Sequence, residues 1–301
     1  MQQESWISKI AFFFNKVLAL LTFLAYILPF LAPKLFPFLS VLTLLMPLFI
    51  ILNFIFFIIW ALQLKKKALL SAVVLLVGFT FISKFYKFSE TNLPESSHEF
   101  KLMSFNVRLF NLYEWLPEKN IPEQITDVIQ DYNPDILCLQ EYSPNDDVRL
   151  RNFPYKHIVL HGNRNKYGQA IYSKFEIVNI GEITFPNSSN NVIFTDIVNQ
   201  KDTVRVYSMH LQSIKISTDI HERLDENKSK FIFKRISNAF KEQQLQSELM
   251  KSHYDSCNYA KIVCGDMNNS AFSYVYRNIK DNMNDAFEDA GTGFGKSYNF
   301  K

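Results

Sequence analysis

The sequence predicts an α/β protein whose N-terminal helices lie in a membrane, and three observations support this fold class. Long stretches without a charged residue occupy the first part of the chain. From about residue 90 the composition becomes that of a soluble globular domain. In that domain, short apolar runs typical of buried strands alternate with stretches of helical periodicity. We therefore expect membrane helices followed by a domain of mixed helices and strands.

Three uncharged, mostly apolar stretches predict transmembrane helices. They comprise 17 residues between Lys16 and Lys34, 30 between Lys34 and Lys65, and 16 between Lys67 and Lys84. At about 1.5 Å per residue the shorter stretches cover roughly 25 Å, and aromatic and lysine side chains at their ends can complete the crossing. The predicted membrane domain is residues 1–88, with spans at about residues 12–33, 36–63 and 68–86.

The lysines around these stretches predict the orientation of the chain. The first stretch also suits a signal peptide, but two further stretches follow it and no small-residue cleavage site is evident. Residues 65–67 are all lysine and fill the second loop, whereas the first loop carries only Lys34. The positive-inside rule then places the N-terminus in the cytoplasm and the rest of the chain outside it, although Lys84 and Lys87 oppose this assignment.

The charge is distributed unevenly between the two parts of the chain. Through Lys87 there are eight Lys and Arg against one acidic residue, whereas residues 88–301 carry 24 against 28. A protein dedicated to gripping duplex nucleic acid usually has a basic surface, so this acidic balance argues against such a binder without excluding a nuclease. A polar linker is predicted at residues 89–99 and the soluble domain at residues 100–301.

The soluble domain contains apolar strands that end in polar side chains. The predicted elements are a strand over residues 100–107, a helix over 122–131, a strand over 135–141, antiparallel hairpins from 167, a strand over 204–211, an amphipathic helix over 227–253, a strand from 261 and a helix over 270–279. The polar residues at the strand ends are Asn106, Glu141, His210, Asp266 and Asn268. Parallel strands bring such groups to one sheet edge, where we expect a site.

The residue types at these ends suit phosphate chemistry. Alternation along a strand puts Asp266 and Asn268 on the same side, so that a carboxylate and an amide can face one phosphate ester bound to a hard metal. Other interpretations remain for single residues. Gly-Asp-x-Asn also suits an Asx turn, Asn106 can cap a turn, Glu141 can form a salt bridge, and His210 can be an ordinary hydrogen-bonded histidine.

The cysteines and the remaining histidines carry no comparable pattern. Cys138 and Cys264 lie in apolar runs and are expected to be small buried side chains, whereas Cys257 lies in a polar segment. No cysteine pair has the spacing of metal ligands. The histidines away from strand ends, among them His157 and His253, are expected at the surface.

Five motifs in order resemble those of the endonuclease/exonuclease/phosphatase superfamily, whose members include deoxyribonuclease-like, sphingomyelinase-like and inositol-phosphatase-like enzymes. The motifs are Ser104-Phe105-Asn106, Ile136 to Glu141, Tyr167 to Ser173, Ser208 to Leu211 and Cys264 to Asn268. The resemblance implies a four-layer αββα sandwich with two mixed sheets between helices. Together with the predicted spans, the chain is similar to membrane-anchored bacterial members, which implies an integral protein of the bacterial inner membrane. The lysine pattern predicts that its catalytic domain is extracytoplasmic.

The resemblance also implies a role for each strand-end residue. Glu141 matches the carboxylate that binds Mg²⁺, with Mn²⁺ as a second choice, and Asn106 matches an amide near both the metal and the phosphate. Asp266 matches the residue that lies near the metal and activates the attacking water. Asn268 matches a donor to the pentacovalent phosphate, and His210 matches a histidine that contacts the phosphate or the leaving group.

The C-terminal part departs from the family pattern. The family carries a further aspartate and an Asp-His pair near its C-terminus, but no histidine follows His253 here. The resemblance therefore predicts a sandwich that lacks its last strands and its catalytic pair.

Two classes of function follow from these observations. The first is a membrane-anchored, Mg²⁺-dependent phosphodiester hydrolase, nuclease-like or sphingomyelinase-like, and the second is a defective relative that acts as a binding module. The expected partners are the lipid bilayer and a phosphate ester, which is a nucleic acid, a phospholipid headgroup or a soluble phosphate. No obligate protein partner is implied.

Overall fold

The computed structural model describes residues 5–88, 99–163, 166–214 and 226–297. The helices there are α1 (Trp6–Ile27), α2 (Pro37–Ser40), α3 (Met46–Leu62), α4 (Ala68–Val77), α5 (Phe79–Ile82), α6 (Ile121–Tyr132), α7 (Glu226–Asp255), α8 (Tyr274–Lys280) and α9 (Ala286–Ala290). The strands are β1 (Tyr86–Lys87), β2 (Leu102–Asn106), β3 (Ile136–Tyr142), β4 (Tyr155–His161), β5 (Tyr167–Ser173), β6 (Glu176–Thr184), β7 (Asn191–Asn199), β8 (Asp202–His210), β9 (Ala260–Asp266) and β10 (Gly293–Phe294). Turns of 3₁₀ helix lie at Leu28–Phe30, Val41–Leu45 and Arg108–Asn111.

The chain forms two compact units, and neither is continuous in sequence. The first comprises Met1–Leu93, Ile214–Gln244 and Asn269–Lys301, and the second comprises Pro94–Ser213 and Leu245–Asn268. Helix α7 contributes its first half to one unit and its second half to the other. The predicted boundaries at residues 88 and 99 remain a prediction, and most of the predicted linker, residues 89–98, lies outside the described residues.

Two helical segments of the first unit are long and apolar enough to cross a membrane. They are Trp6–Phe30, with 25 residues, and Pro37–Leu62, with 26. Where these helices meet each other and α4, buried polar side chains form hydrogen bonds. Asn15 donates to Ser71 at 2.8 Å and accepts from the indole of Trp60 at 3.0 Å, and Asn53 donates to Thr22 at 2.8 Å. Such bonds fix how apolar helices pack, because the helices offer few other directional contacts.

The third predicted span, residues 68–86, is not one continuous helix. It consists of α4, which has 10 residues, and the short helix α5, with a break at Gly78. Ten helical residues rise about 15 Å, about half the thickness of a hydrocarbon core. At the break, the ring of Tyr26 lies so close to Gly78 that a β-carbon there would collide with it, and its hydroxyl donates to the carbonyl of Val74 at 3.3 Å. Gly78 thus gives Tyr26 the space to pack against α4, and the helix breaks at the same residue.

The second unit contains two four-stranded sheets. Their strand orders are β2-β3-β5-β4 and β6-β7-β8-β9. The pairs β2–β3 and β8–β9 are parallel and the others are antiparallel, so both sheets are mixed. Parallel pairs need a crossover, and α6 and α7 lie in the two connections. The helices predicted at residues 122–131 and 227–253 correspond to these crossovers.

The two sheets pack face to face, and helices cover their outer faces. Side chains that share the core between the sheets are Ile136, Cys138, Ile171, Ile193, Ile197 and Val206. On the other face of β3, Leu137 and Leu139 pack with Ile129 of α6. On the outer face of the second sheet, the ring of His253 in α7 packs against the ring of Phe194, with ring centres 4.8 Å apart. The layers are therefore helix, sheet, sheet and helix, which confirms the predicted fold class, while the predicted lack of final strands remains a prediction.

A buried ion pair lies on the outer face of the second sheet. Opposed residues Asp196 and Arg205 form two hydrogen bonds of 2.5 and 2.7 Å, and Asn179 donates to the same carboxylate at 2.9 Å. Burial raises the pKa of Asp196, but the hydrogen bonds from Arg205 and Asn179 outweigh it and hold the pKa below its ordinary value. The guanidinium also lies 4.5 Å from the ring centre of Phe194, where it makes a cation–π contact.

We predict that Arg205→Leu destabilises the protein by about 3 kcal/mol, because it leaves the buried Asp196 carboxylate without its partner. The matched control is Lys174→Leu, whose more exposed pair with Asp135 at 3.1 Å should contribute less than about 1 kcal/mol. Thermal unfolding of the detergent-solubilised chain measures both. The difference should shrink as the pH falls below about 4, because a lowered pKa stabilises the fold only while the carboxylate is ionised. Equal shifts for the two variants would contradict the prediction.

Candidate active site

Polar side chains from four strands meet at one edge of the second unit. Asn106 ends β2 and Glu141 lies near the end of β3, which is the parallel neighbour of β2. His210 and Asp266 end β8 and β9 and are register partners. Because both parallel pairs run in the same sense toward this edge, four of the five predicted residues lie at adjacent strand ends.

Asn106 joins the two carboxylates of the site. Its amide nitrogen donates to Glu141 Oε1 at 3.1 Å and to Asp266 Oδ2 at 2.9 Å. Its amide oxygen accepts the backbone N–H of Arg108 at 3.1 Å, which fixes the orientation of the amide. The two carboxylates come from different sheets, so Asn106 holds the sheets in register where the polar groups converge.

A β-bulge presents Glu141 at this edge. The register between β3 and β5 shifts between Leu139 and Tyr142, so that the β3 side carries one extra residue. Glu141 adopts a φ of 48°, in the left-handed region that residues other than glycine rarely occupy. This geometry turns its carboxylate toward Asn106, whereas its neighbour Gln140 points into the protein and is 1% exposed.

Gln140 belongs to a buried hydrogen-bond seam between the two sheets. Its amide donates to Ser208 at 2.9 Å and to Ser104 at 3.3 Å, and Ser208 donates to Gln169 at 2.9 Å. Gln169 in turn donates to the Asn191 side chain at 2.7 Å. Gln140 is not among the site residues that the sequence predicts. Its signal was available, because period-two alternation puts it on the same face as Ile136 and Cys138.

The Gly-Asp-x-Asn stretch forms an Asx turn and also contributes to the site. Asp266 Oδ1 accepts the backbone N–H of Asn268 at 2.8 Å, while Oδ2 faces Asn106. Asn268 has a φ of 51° and donates its side-chain amide to the carbonyl of Leu211 at 2.9 Å. This hydrogen bond from Asn268 ties the turn to the residue that follows β8. The stretch therefore forms an Asx turn and also places Asp266 at the edge where the polar side chains meet.

Gly265 allows β9 to approach β8 at the site. Its φ is 124°, and a β-carbon there would collide with the backbone of Met209. The glycine thus provides a conformation and a clearance that no other residue offers.

The ring of His210 lies beside Glu141. Its Nε2 is 3.7 Å from Glu141 Oε1, which is too long for a hydrogen bond, and this buried nitrogen has no hydrogen-bond partner among the described residues. An unpartnered buried ring nitrogen is costly unless a ligand or water engages it. The ordinary satisfied histidine that the sequence left open is therefore not what the described residues form.

The donor set suits a hard divalent cation bound mainly by solvent and substrate. Across the described residues, no three His, Cys, Asp or Glu side chains converge closely enough to enclose a metal ion. Mg²⁺ needs less, since it retains several waters and is commonly held by one or two carboxylates together with substrate phosphates. Glu141 is partly exposed and its carboxylate lies at the open edge, so the residues fit such a site.

Other predicted residues lie away from this edge. Cys138 and Cys264 are neighbours in the core between the sheets, and the contact between them together with burial raises the pKa of the Cys138 thiol. His157 is buried and hydrogen-bonded to the carbonyl of Gly181 at 3.1 Å, and His253 contacts the hydroxyl of Tyr207 at 3.1 Å. The expectation that these histidines are surface residues was wrong, because each packs against a strand.

Two family models match this chain. Residues 103–301 match the Endonuclease/Exonuclease/phosphatase family, and residues 8–85 match a domain of unknown function, DUF8431. No curated protein matches.

Solved structures with similar folds include three proteins of different names. A humanized D. rerio TDP2 is 16% identical with a TM-score of 0.40, and the match covers 57% of this chain and 64% of the TDP2 chain. Sphingomyelinase C from Streptomyces griseocarneus is 16% identical with a TM-score of 0.45, and the match covers 61% of this chain and 69% of the sphingomyelinase chain. The human Nocturnin catalytic domain with bound sulfate is 17% identical with a TM-score of 0.43, and the match covers 60% of this chain and 68% of the Nocturnin chain. At such values these likenesses do not indicate a substrate.

We predict that Gly265→Ala destabilises the protein by more than about 1 kcal/mol, because alanine is strained at this φ and its β-carbon meets the backbone of Met209. Gly293→Ala is the matched control. That glycine also has a positive φ, 67°, but a β-carbon there has nothing within 4 Å. Thermal unfolding should show the larger loss at residue 265, and an equal loss at both would mean that the close approach does not matter.

Proposed function

The chain belongs to the Endonuclease/Exonuclease/phosphatase family, and we propose from this that it hydrolyses phosphodiester bonds at the edge formed by Asn106, Glu141, His210 and Asp266. The family match extends over residues 103–301 and includes all four residues. It also confirms the family resemblance that the five sequence motifs indicate.

One observation carries the proposal: a single amide, Asn106, bridges carboxylates from two different sheets. Two carboxylates that accept from one amide bring hard oxygen atoms together, which is the ligand type that a divalent cation prefers. Such an arrangement is typical of a site that binds a cation or moves a proton. Asn106 also links the two sheets at this edge, but neutral side chains do the same in the Gln140 seam, so that role does not by itself require two carboxylates.

We assign a role to each residue of the site. A hard divalent cation, Mg²⁺ or Mn²⁺, would be held by Glu141 and would neutralise charge that develops on the phosphoryl oxygens. Asp266 accepts a proton from the attacking water, whose oxygen bonds to phosphorus. The bond to the leaving oxygen breaks, and that oxygen takes up a proton from solvent. Asn106 orients both carboxylates, and His210 Nε2 interacts with a phosphoryl or leaving oxygen. Asn268 fixes the turn that presents Asp266 and donates toward the phosphate.

We also propose that the first unit anchors the protein in a membrane. The two long apolar segments, Trp6–Phe30 and Pro37–Leu62, support this by length and composition. The lysines at residues 65–67 favour a cytoplasmic second loop. A third crossing by α4 and α5 together, after which Lys84 lies beside the helix α8 that also contacts Phe30, puts the catalytic part on the other side of the membrane. A bacterial inner membrane is the proposed location.

We predict Mg²⁺-dependent hydrolysis of a phosphate ester by the detergent-solubilised chain, with the phosphodiesters of DNA or sphingomyelin expected ahead of the phosphomonoesters of inositol phosphates. Plasmid DNA, sphingomyelin and inositol phosphates serve as separate substrates, so that the substrate class follows from which one is hydrolysed. Glu141→Gln and Asp266→Asn should each lower kcat by about 10²-fold or more, because they remove a cation ligand and a proton acceptor. Calorimetric titration with Mn²⁺ should show weaker binding for Glu141→Gln.

The controls change equivalent residues away from the edge. Glu176→Gln, at the start of β6, and Asp202→Asn, at the opposite end of β8, should leave both kcat and Mn²⁺ affinity unchanged. Metal binding without turnover of any phosphate ester would favour the binding-module function. Unchanged Mn²⁺ affinity in Glu141→Gln would refute the metal assignment.

A cysteine at residue 201 tests the orientation. Lys201 lies in the exposed turn between β7 and β8, so Lys201→Cys should react with an impermeant thiol reagent on intact cells, in a chain whose native cysteines are replaced. Labelling that needs cell lysis would reverse the proposed topology.

A further inference from the structure

The first half of helix α7 runs along the loop between the two long apolar segments. The backbone N–H of Lys34 donates to Gln244 Oε1 at 2.8 Å, and the rings of Phe38 and Phe233 stack with centres 5.8 Å apart and planes 7° apart. These two contacts are 11 residues apart on α7, about 16 Å of helix. The helix therefore lies beside the loop over about three turns, with contacts at more than one point.

This loop marks one end of the apolar bundle. It joins Trp6–Phe30 to Pro37–Leu62, so a bilayer crossed by both segments has its surface at this loop. Apolar side chains remain exposed around it, including Leu35, Phe36 and Phe38, the last of which is 57% exposed. Aromatic side chains at this position are typical of the membrane interface.

Helix α8 contacts the same end of the bundle. The guanidinium of Arg277 lies 4.3 Å from the ring centre of Phe30, and Lys84 Nζ lies 4.5 Å from the ring centre of Tyr276. The end of the first apolar segment and the residues after α5 are thus close to one helix, so a layer of aromatic and basic side chains surrounds this end.

The exposed side chains of α7 suit a negatively charged lipid surface. Residues 226–244 carry five Lys and Arg against two acidic residues, although residues 88–301 as a whole are acidic. Phe231, which is 61% exposed, lies among them with the Arg235 guanidinium 5.8 Å from its ring centre. Exposed aromatic residues with adjacent lysines are the pattern of helices that lie in the interface plane.

We propose that residues 226–244 of α7 lie in the headgroup layer of an anionic bilayer, with Phe231 inserted at the level of the glycerol groups and the surrounding lysines on lipid phosphates. The inference rests on the proposed membrane crossing by the first unit. It adds a second, peripheral contact with the bilayer that the apolar segments do not provide. Lysines near an anionic surface are attracted to it, so the basic segment favours anionic over zwitterionic lipid.

Depth-dependent quenching on the full chain in liposomes tests the proposal. A fluorescent amino acid replaces Phe231 in one protein and Phe54, a 54% exposed residue near the middle of α3, in another. The quenchers are lipids labelled either on the headgroup or at the end of the acyl chain. We expect the headgroup label to quench residue 231 more strongly, and the chain-end label to quench residue 54 more strongly.

The basic residues are tested in the same liposomes. The triple variant Lys230→Gln, Lys234→Gln, Arg235→Gln should reduce quenching at residue 231 and leave residue 54 unchanged, and so should removal of phosphatidylglycerol from the wild-type liposomes. The matched control, Lys156→Gln with Lys201→Gln in the second unit, should change neither position.

The outcomes separate this inference from membrane anchoring. Quenching at residue 54 without quenching at residue 231 would overturn the docking of α7 while anchoring stands. Absence of quenching at both positions would overturn both. Quenching at residue 231 that is independent of lipid charge would overturn the anionic preference.

Discussion

The buried hydrogen-bond seam between the two sheets is the constraint on which the candidate site depends. Gln140, Ser208 and Gln169 each satisfy a partner on the opposite sheet, so sliding one sheet along the other would leave buried amides unpaired, at about 1–3 kcal/mol each. The register that the seam imposes brings Glu141, one residue beyond Gln140, level with the end of β8. The apolar core alone would tolerate other registers, because methyl groups and rings pack without direction.

Much of the site could be predicted because strands end where their apolar runs end. Asn106, Glu141 and Asp266 were placed at one edge by this rule, and the positions of the crossover helices followed from helical periodicity. The bulge that turns Glu141 outward was not predictable, since it depends on which register β5 adopts. The role of Gln140 is not predicted either, because a polar residue after an apolar run ordinarily marks the end of a buried strand, whereas Gln140 is 1% exposed.

The first unit shows a different limit of sequence reasoning. Hydropathy identified the apolar segments, but an average over a window cannot distinguish an asparagine that faces lipid from one that bonds a neighbouring helix. Asn15 and Asn53 prove to be fully buried between helices. The interruption at Gly78 depends on the ring of Tyr26, which is 52 positions away in sequence. Hydropathy therefore predicts which segments are apolar but not which are continuous.

The left-handed backbone conformation of Glu141 lowers the stability of the fold at this edge. A glutamate gains nothing from φ near 50°, and such a conformation costs about 1–3 kcal/mol, which the rest of the fold must offset. Glycine or asparagine would relieve that cost and remove the carboxylate. Selection for stability alone would thus drive this position away from glutamate, and sequences selected only for thermal resistance should replace this glutamate early.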